Sequence, residues 1–366
     1  MKKILMILFL ISCLQNVMGK DKELRKDLSS YFSSIFSTNE PGGAVLLAKR
    51  GKVIFEGGYG LADIKTREGI SPDTLFNIGS ISKTFVANGI LILHSEGKLS
   101  IDDSIVKYLS GFNNPDLAKS IRIVHLLSHT SGILDNRNPE QRREFFLTAG
   151  DRENFEPLKK DLRVSFLPGE GFEYSNPAYN ALALIIEEVT GAKWQDFIRN
   201  RVFIPSEMKR STITEGAHPQ TGVAHGYIRA EGRFVENDYG EVPTFCAAGN
   251  GGVWSSVREL LKYETALGEG KVISKDLLER SRKAYKPDNW RREDAPSVGY
   301  GWFVNDEAPG SVGHTGSQGG FISDYLFFPQ SGYFYVLLCN TPKPIREIRQ
   351  KVMELMIKHG FSTNRK

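Results

Sequence analysis

Phe76-Asn77-Ile78-Gly79-Ser80-Ile81-Ser82-Lys83-Thr84-Phe85 leads into a run that stays apolar to His94, Gly89 aside. A segment apolar on every side predicts a helix inside a core rather than on a surface, with Gly97 as its cap. Ser80 and Lys83 are three residues apart and so share one helix face. A neutral Lys83 amine within hydrogen-bond reach of the Ser80 hydroxyl takes its proton and turns a weak alcohol into a nucleophile. The unpaired N–H groups at a helix start favour the negative charge that such a step creates. Ser-x-x-Lys also recurs as a capping serine with a solvated lysine, so its meaning rests on the rest of the chain.

On the N-terminal side, Leu24, Leu28, Tyr31, Phe32 and Ile35 recur at helical spacing. Pro41-Gly42-Gly43 stops that helix, and Ala44 to Lys49 and Val53 to Tyr59 read as a hairpin joined through Arg50-Gly51. On the other side, Ile121 to Leu127 runs into Ser128-His129-Thr130-Ser131-Gly132. Asp135 to Asp161 is highly charged and reads as a solvated surface excursion. Ala178 to Val189 is a helix ended by Gly191; Trp194, Phe197, Ile198 and Val202 mark another. Gly249-Asn250-Gly251-Gly252 forms a turn before a helix over Val257 to Ala266. From about Ser297 the pattern becomes strand-rich: Tyr300 to Val304, Ser311 to Thr315, Phe321 to Phe328 and Tyr333 to Cys339. A last helix carries Ile345, Ile348, Val352 and Leu355 on one face. Strands at both ends and helices between them predict an α+β fold: one antiparallel sheet built from both ends of the chain, flanked by terminal helices, with a mostly helical region inserted. The sheet part covers about 24–80 and 297–366, the helical part about 81–296.

The 366 residues are 40% hydrophobic and 25% charged, an ordinary globular composition for one large domain or two intimate ones. The net charge of +4 includes Lys2 and Lys3, and no Lys/Arg block follows a nucleic-acid backbone. Residues 1–19 read as a bacterial export signal, with Lys2 and Lys3 ahead of an apolar core, Ile4 to Ile11, too short to span a bilayer. Val17-Met18-Gly19 resembles an ordinary signal-peptidase site, whereas Leu10-Ile11-Ser12-Cys13 resembles a lipobox that would make Cys13 a lipid anchor. Either reading takes residues 20–366 out of the cytoplasm: periplasmic, secreted or lipid-anchored. Export permits a disulfide between Cys246 and Cys339, but their separation of about ninety residues does not establish one. Cys339 ends a strand-like run and reads as a small buried hydrophobe.

Two further clusters carry chemistry. Tyr174-Ser175-Asn176 sits in a Pro- and Gly-rich loop, Pro168 to Pro177, just before a helix. A tyrosine beside a lysine cation loses its proton more readily; Tyr174 then serves as base for Ser80 and later as acid for the leaving group. Asn176 is placed to hydrogen-bond a substrate amide or the lysine. Gly313-His314-Thr315-Gly316-Ser317-Gln318-Gly319-Gly320 reads as a strand ending in glycines, where a substrate lies close along the backbone and N–H groups contribute to an oxyanion hole.

Ser80-x-x-Lys83, Tyr174-x-Asn176 and His314-Thr315-Gly316, in this order and at these distances, resemble the serine β-lactamase-related family: class C β-lactamases, D-alanyl-D-alanine carboxypeptidases, D-aminopeptidases and related esterases. His125 to Gly132 and Gly251-Gly252-Val253-Trp254-Ser255-Ser256 agree, and the resemblance covers roughly residues 25 to 360. It implies a β-lactamase/transpeptidase-like fold and an acyl-enzyme on Ser80. Lys83 and Tyr174 would share proton transfer, Asn176 would contact substrate, Thr315 and Gly316 would line it, and the N–H groups of Ser80 and Ser317 would form the oxyanion hole. The substrate would be a small ester, amide or short peptide, with peptidoglycan fragments among the candidates. One departure matters: the family's hydrolases of β-lactams and D-alanyl peptides usually carry lysine where this chain has His314. An unperturbed histidine, with a pKa of about 6.5, is often neutral, which favours esters, amides and D-amino acid peptides over substrates recognised by a free carboxylate. A non-catalytic envelope-binding module is the competing class, but it has no use for Ser80, Lys83 and Tyr174 together.

No cofactor is expected. His125 and His129 stand four apart, yet His-Glu-x-x-His is missing and no third ligand is evident, so no metal is assigned. Gly-x-Ser-x-Gly, a Walker loop and Gly-x-Gly-x-x-Gly are also missing, which argues against an α/β-hydrolase and nucleotide cofactors.

Overall fold

A computed structural model describes residues 21–137, 150–213, 221–237, 249–305 and 310–361. The export-like stretch 1–19, with Cys13, and the cysteine at 246 lie outside the described residues. The principal elements of the first half are α1 (21–35), β1 (Gly43–Lys49), β2 (Lys52–Tyr59), α2 (Ser82–Ser95), α3 (Asp151–Lys160) and α4 (Asn176–Thr190). The second half contributes α5 (Val257–Glu269), β3 (Phe303–Asn305), β4 (Ser311–Gln318), β5 (Phe321–Phe328), β6 (Tyr333–Cys339) and α6 (Ile345–Lys358).

The six strands form one antiparallel sheet in the order β3-β4-β5-β6-β1-β2. Arg50 and Gly51 both take positive φ, 49° and 77°, the conformation of the tight turn that suits a twisted hairpin. β1 pairs with β6 at the centre, Gly43 opposite Cys339 and Lys49 opposite Tyr333. Apart from Lys49 at the end of β1, both strands are apolar because the sheet is covered on both faces. Successive side chains alternate between faces. Ala44, Leu46, Ala48, Phe334, Val336 and Leu338 therefore join one core, while Val45, Leu47, Tyr335, Leu337 and Cys339 join the other.

The terminal helices α1 and α6 cover the second face with Leu24, Leu28, Phe32, Ile348, Val352 and Met356. Arg349 of α6 donates two hydrogen bonds of 2.9 Å to Asp324 of β5, with both groups buried. The helical region covers the first face. α2 runs through it, and every residue from Ser82 to Leu93 is buried, as its uninterrupted apolar sequence requires. Phe85 stacks on Tyr263 of α5 at 4.2 Å.

Three expectations are corrected. The charged stretch Asp135–Asp161 is not wholly a solvated face. Phe155 and Leu158, three apart on α3, enter the core, and Arg137 and Asn154 are buried. β4 runs three residues further than expected, to Gln318, so Gly313 and Gly316 lie inside the strand where neighbouring backbone closes in. The strand expected over 300–304 begins only at Phe303. Among the described residues no helix is long and apolar enough to cross a membrane, and no group of three or more His, Cys, Asp or Glu is placed to hold a metal ion.

Candidate active site

Ser80 sits in a single 3₁₀ turn, Gly79–Ile81, that feeds directly into α2. Its position is set from three sides. Ile78 N–H donates to the Val253 carbonyl at 3.0 Å, and the Val253 N–H donates to Ser82 Oγ at 3.1 Å. Asn77 Oδ1 accepts from the Gly79 N–H at 2.9 Å. From the sheet, Ser323 Oγ donates to the Ile78 carbonyl at 2.9 Å. β4 lies against the same turn. A Cβ on Gly79, whose φ is +53°, would fall 2.8 Å from the Ser317 nitrogen, and a Cβ on Gly316 would fall 2.1 Å from the Ile78 oxygen. Only glycine at both places permits this approach, which brings the backbone of Ser317 beside that of the Ser80 turn.

Lys83 Nζ lies 3.0 Å from Ser80 Oγ and donates to the Asn250 carbonyl at 2.8 Å. The side chain is fully buried, and burial alone pushes its pKa well below the usual ammonium value, because the charged form loses its hydration. Burial thus favours the neutral amine, the form that accepts a proton. The rings of Tyr174 and Tyr179 stand 4.9 and 5.7 Å from Nζ.

Tyr174 reaches the same point from the loop before α4, whose start is capped by Ser175 Oγ accepting from the Ala178 N–H. Although 39% of the residue stays exposed, the ring is packed against His129 and Phe303, and this desolvation raises the phenol pKa, outweighing a hydrogen bond with Ser80 that acts the other way. This corrects the expectation of a tyrosine that readily becomes a phenolate. The lysine beside it is itself desolvated, so it offers no dependable cation to draw the proton off. The phenol keeps its proton and is a donor.

His129, treated in sequence as part of a structural segment, proves to be the floor beneath that phenol. Its ring stacks on Tyr174 at 4.6 Å and its Nδ1 accepts the Ser175 N–H at 3.0 Å. The residue is buried and takes φ +57°, unusual for a non-glycine. Phe303 and Phe172 complete an aromatic wall around it. The Asn250 carbonyl is the other contributor the sequence reading did not assign. Its signal was the polar residue in Gly249-Asn250-Gly251-Gly252, but a backbone atom leaves no mark of its own in sequence.

His314 lies on β4, only 4% exposed, with its ring 6.1 Å from that of Tyr174. Its Nδ1–H donates to the Thr315 carbonyl at 2.6 Å. Burial pushes its pKa down to about 3, so it is neutral at physiological pH. Thr315 and Ser317 point to the exposed side of the strand. Asn176 heads α4, with its Oδ1 buried and lacking a protein partner. The structure thus brings together Ser80, Lys83 and Tyr174, with His314 against the tyrosine, and lays Gly316 and Ser317 beside the serine's own turn. A cavity of about 480 Å³ adjoins β4 at His314 and Thr315 and extends to Leu326, Ile345 and Arg349. Ser80, Lys83 and Tyr174 do not line it, so it borders the reaction centre without forming it.

A family model described as Beta-lactamase matches residues 17–354. Penicillin-binding protein 4* of Bacillus subtilis (strain 168) is 28% identical over 317 residues, 81% of this chain and 67% of that protein. Among solved structures, the octameric penicillin-binding protein homologue from Pyrococcus abyssi superposes with a TM-score of 0.76 at 26% identity, covering 94% of this chain and 78% of that one. The D-amino acid amidase from Ochrobactrum anthropi SV3 superposes with a TM-score of 0.77 at 24% identity, covering 93% of this chain and all 100% of that one, a likeness of fold.

Proposed function

The chain belongs to the Beta-lactamase family of serine hydrolases, and on that premise we propose that it cleaves an ester, amide or D-amino acid peptide bond through an acyl-enzyme on Ser80. The observation that carries this reading is the buried Lys83 amine 3.0 Å from Ser80 Oγ. The Ser80 O–H donates to the lone pair of the neutral amine, and the oxygen attacks the substrate carbonyl as Lys83 takes the proton. The negative charge that builds on the carbonyl oxygen is met by the N–H groups of Ser80 and Ser317, which Gly79 and Gly316 allow to converge. Tyr174, still protonated, passes its proton to the leaving oxygen or nitrogen and is recharged from the Lys83 ammonium. Water then enters by the same route in reverse and frees the acid. Lys83 is the base and Tyr174 the acid, an order set by the opposite directions in which burial moves an amine and a phenol.

A neutral, nearly buried His314 presents no cation to a substrate carboxylate. That supports an uncharged ester or amide, or a D-amino acid derivative, over a β-lactam or a peptide ending in a free carboxylate. The names of the penicillin-binding relatives keep a peptidoglycan fragment as the second substrate class. The leader-like sequence of residues 1–19 supports a site of action outside the cytoplasm, with Cys13 as the candidate lipid attachment point.

A fluorophosphonate probe tests the reading. The wild-type protein is expected to form one covalent adduct on Ser80 and to hydrolyse p-nitrophenyl esters or D-amino acid amides, with both activities lost in Ser80→Ala. A folded wild-type protein that forms no adduct and turns over none of these substrates refutes it, and leaves a binding module with a hydrolase fold.

A further inference from the structure

Behind Lys83 runs a chain of buried polar groups that the acyl-transfer scheme does not use. The carbonyl that accepts from Lys83 belongs to Asn250, whose side-chain Oδ1 accepts from Asn180 Nδ2 at 3.0 Å. Asn180 Oδ1 accepts from Arg137 Nη1 at 2.7 Å, and the same Nη1 donates to Asn154 Oδ1 at 2.5 Å. Arg137 Nε and Nη2 grip Asp135 through two bonds of 2.7 Å. Arg137, Asn154 and Asn180 are 4%, 1% and 2% exposed.

The direction of this chain is fixed. A guanidinium has only donors, so Asn180 must turn its oxygen to Arg137 and its amide N–H to Asn250, and Asn250 must answer with its oxygen. Gly249 tightens the same contact: a Cβ there would fall 2.7 Å from the Tyr179 carbonyl, so the turn lies directly on α4 next to Asn180.

We propose that Asn180 is a positioning residue for the reaction: through the Asn250 side chain it anchors the turn whose carbonyl fixes the Lys83 amine, and Arg137 locks Asn180 in the orientation that does so. The inference rests on the reading of Lys83 as the base for Ser80. Lysine has a flexible four-carbon stem, and a base must stay within hydrogen-bond reach of the proton it takes. The titratable groups facing Lys83 are Tyr174, Tyr179, His129 and His314. They crowd the amine, but it is the Asn250 carbonyl that holds it from behind. Because the link to Arg137 passes through neutral amides, the amine is steered without a carboxylate at its side to keep it charged.

The test follows the rate of Ser80 phosphonylation by a fluorophosphonate against pH, with a thermal melt on each variant. Asn180→Asp keeps an acceptor for Arg137 but loses the donor to Asn250 and repels its oxygen. It should fold as well as wild type, react at least about tenfold more slowly, and turn on at higher pH because a carboxylate now stands nearer the amine. Asn250→Ala leaves the Arg137–Asn180 pair intact and cuts the tether alone. It should slow the reaction similarly with little change in melting. Both effects together support the proposal. If Asn180→Asp folds and matches the wild-type rate and pH midpoint, the proposal is overturned. If Asn180→Asp does not fold, Asn250→Ala decides: a wild-type rate there overturns it and a slowed rate supports it. Failure of the wild-type protein to label at Ser80 is a separate result that removes the acyl-enzyme reading and this inference with it.

Discussion

Replacing Gly316 by alanine adds a single methyl group to the strand that closes over the nucleophile. That carbon would fall 2.1 Å from the Ile78 oxygen and 2.3 Å from Ser323 Oγ, where real contacts are essentially never under 3.0 Å. The Ile78 carbonyl is backbone and already accepts from Ser323, so it cannot swing aside as a flexible side chain would. β4 must therefore retreat from the Ser80 turn by about 1 Å, and a displacement of that size at a reaction centre costs about 100-fold in turnover. The accompanying overpacking should cost about 1–3 kcal/mol of stability, which leaves the protein folded. The assay is kcat/KM on a p-nitrophenyl ester beside a thermal melt. Gly268→Ala is the control: that glycine lies on the exposed side of α5 and a Cβ there meets nothing within 4 Å, so helix propensity should raise stability by up to about 1 kcal/mol with activity unchanged. A Gly316→Ala protein with activity within twofold of wild type and an unaltered melt would refute the close approach of strand and turn, and the oxyanion-hole assignment with it.

Lys83→Met should lower turnover by at least about 100-fold while the fold survives, since a positioned base contributes that much or more; equal turnover removes lysine from the mechanism. The same change should alter stability against pH. Folding depresses the Lys83 pKa below its unfolded value, so the unfolded chain binds the extra proton and wild-type stability rises with pH toward the ordinary lysine pKa. The Met variant should lack that rise in urea titrations at pH 7 and 9, and identical pH trends count against a desolvated amine. In acid, folding holds His314 at about 3 and His125 at about 4, so both stay neutral in the folded chain after the unfolded chain has protonated them. Stability should fall as pH drops below about 6.5, by up to about 1.4 kcal/mol per pH unit for each histidine, and His314→Asn should shallow the slope; parallel curves at pH 7, 6 and 5 would exclude a buried neutral His314. His314→Lys should improve turnover of a carboxylate-bearing chromogenic cephalosporin, and unchanged rates would disprove the link between this position and substrate charge.

Much of this was legible in the chain because side-chain identity carries it. α2 announced itself by being apolar on every face, β1 and β6 by apolar runs of strand length, and Ser80, Lys83, Tyr174 and His314 by motif and order. The parts that were not legible depend on closure between distant segments. The charge state of Tyr174 follows from the aromatic rings packed against it, and the cation expected to acidify it is itself desolvated. The Asn250 carbonyl and the Gly316–Ile78 contact are backbone features, which any residue pattern conceals. Arg137 read as one more surface charge because nothing near it in sequence discloses that Asn154 and Asn180 wait to receive it.

The pairing of β1 with β6 sets a condition on how this protein comes into being. Gly42 N–H donates to Asn340 Oδ1, and the two residues are 298 positions apart. Contacts of such long range reward the chain only after a large loop has been closed, which makes assembly slow. During synthesis the serine and its lysine emerge well ahead of β4, the strand that lies beside their turn. A polypeptide halted before β6 would leave β1 as a bare apolar edge, the kind of template on which chains aggregate. Hydrolytic competence therefore reports a finished molecule, and truncation within β6 should abolish it although Ser80, Lys83, Tyr174 and His314 are all still present.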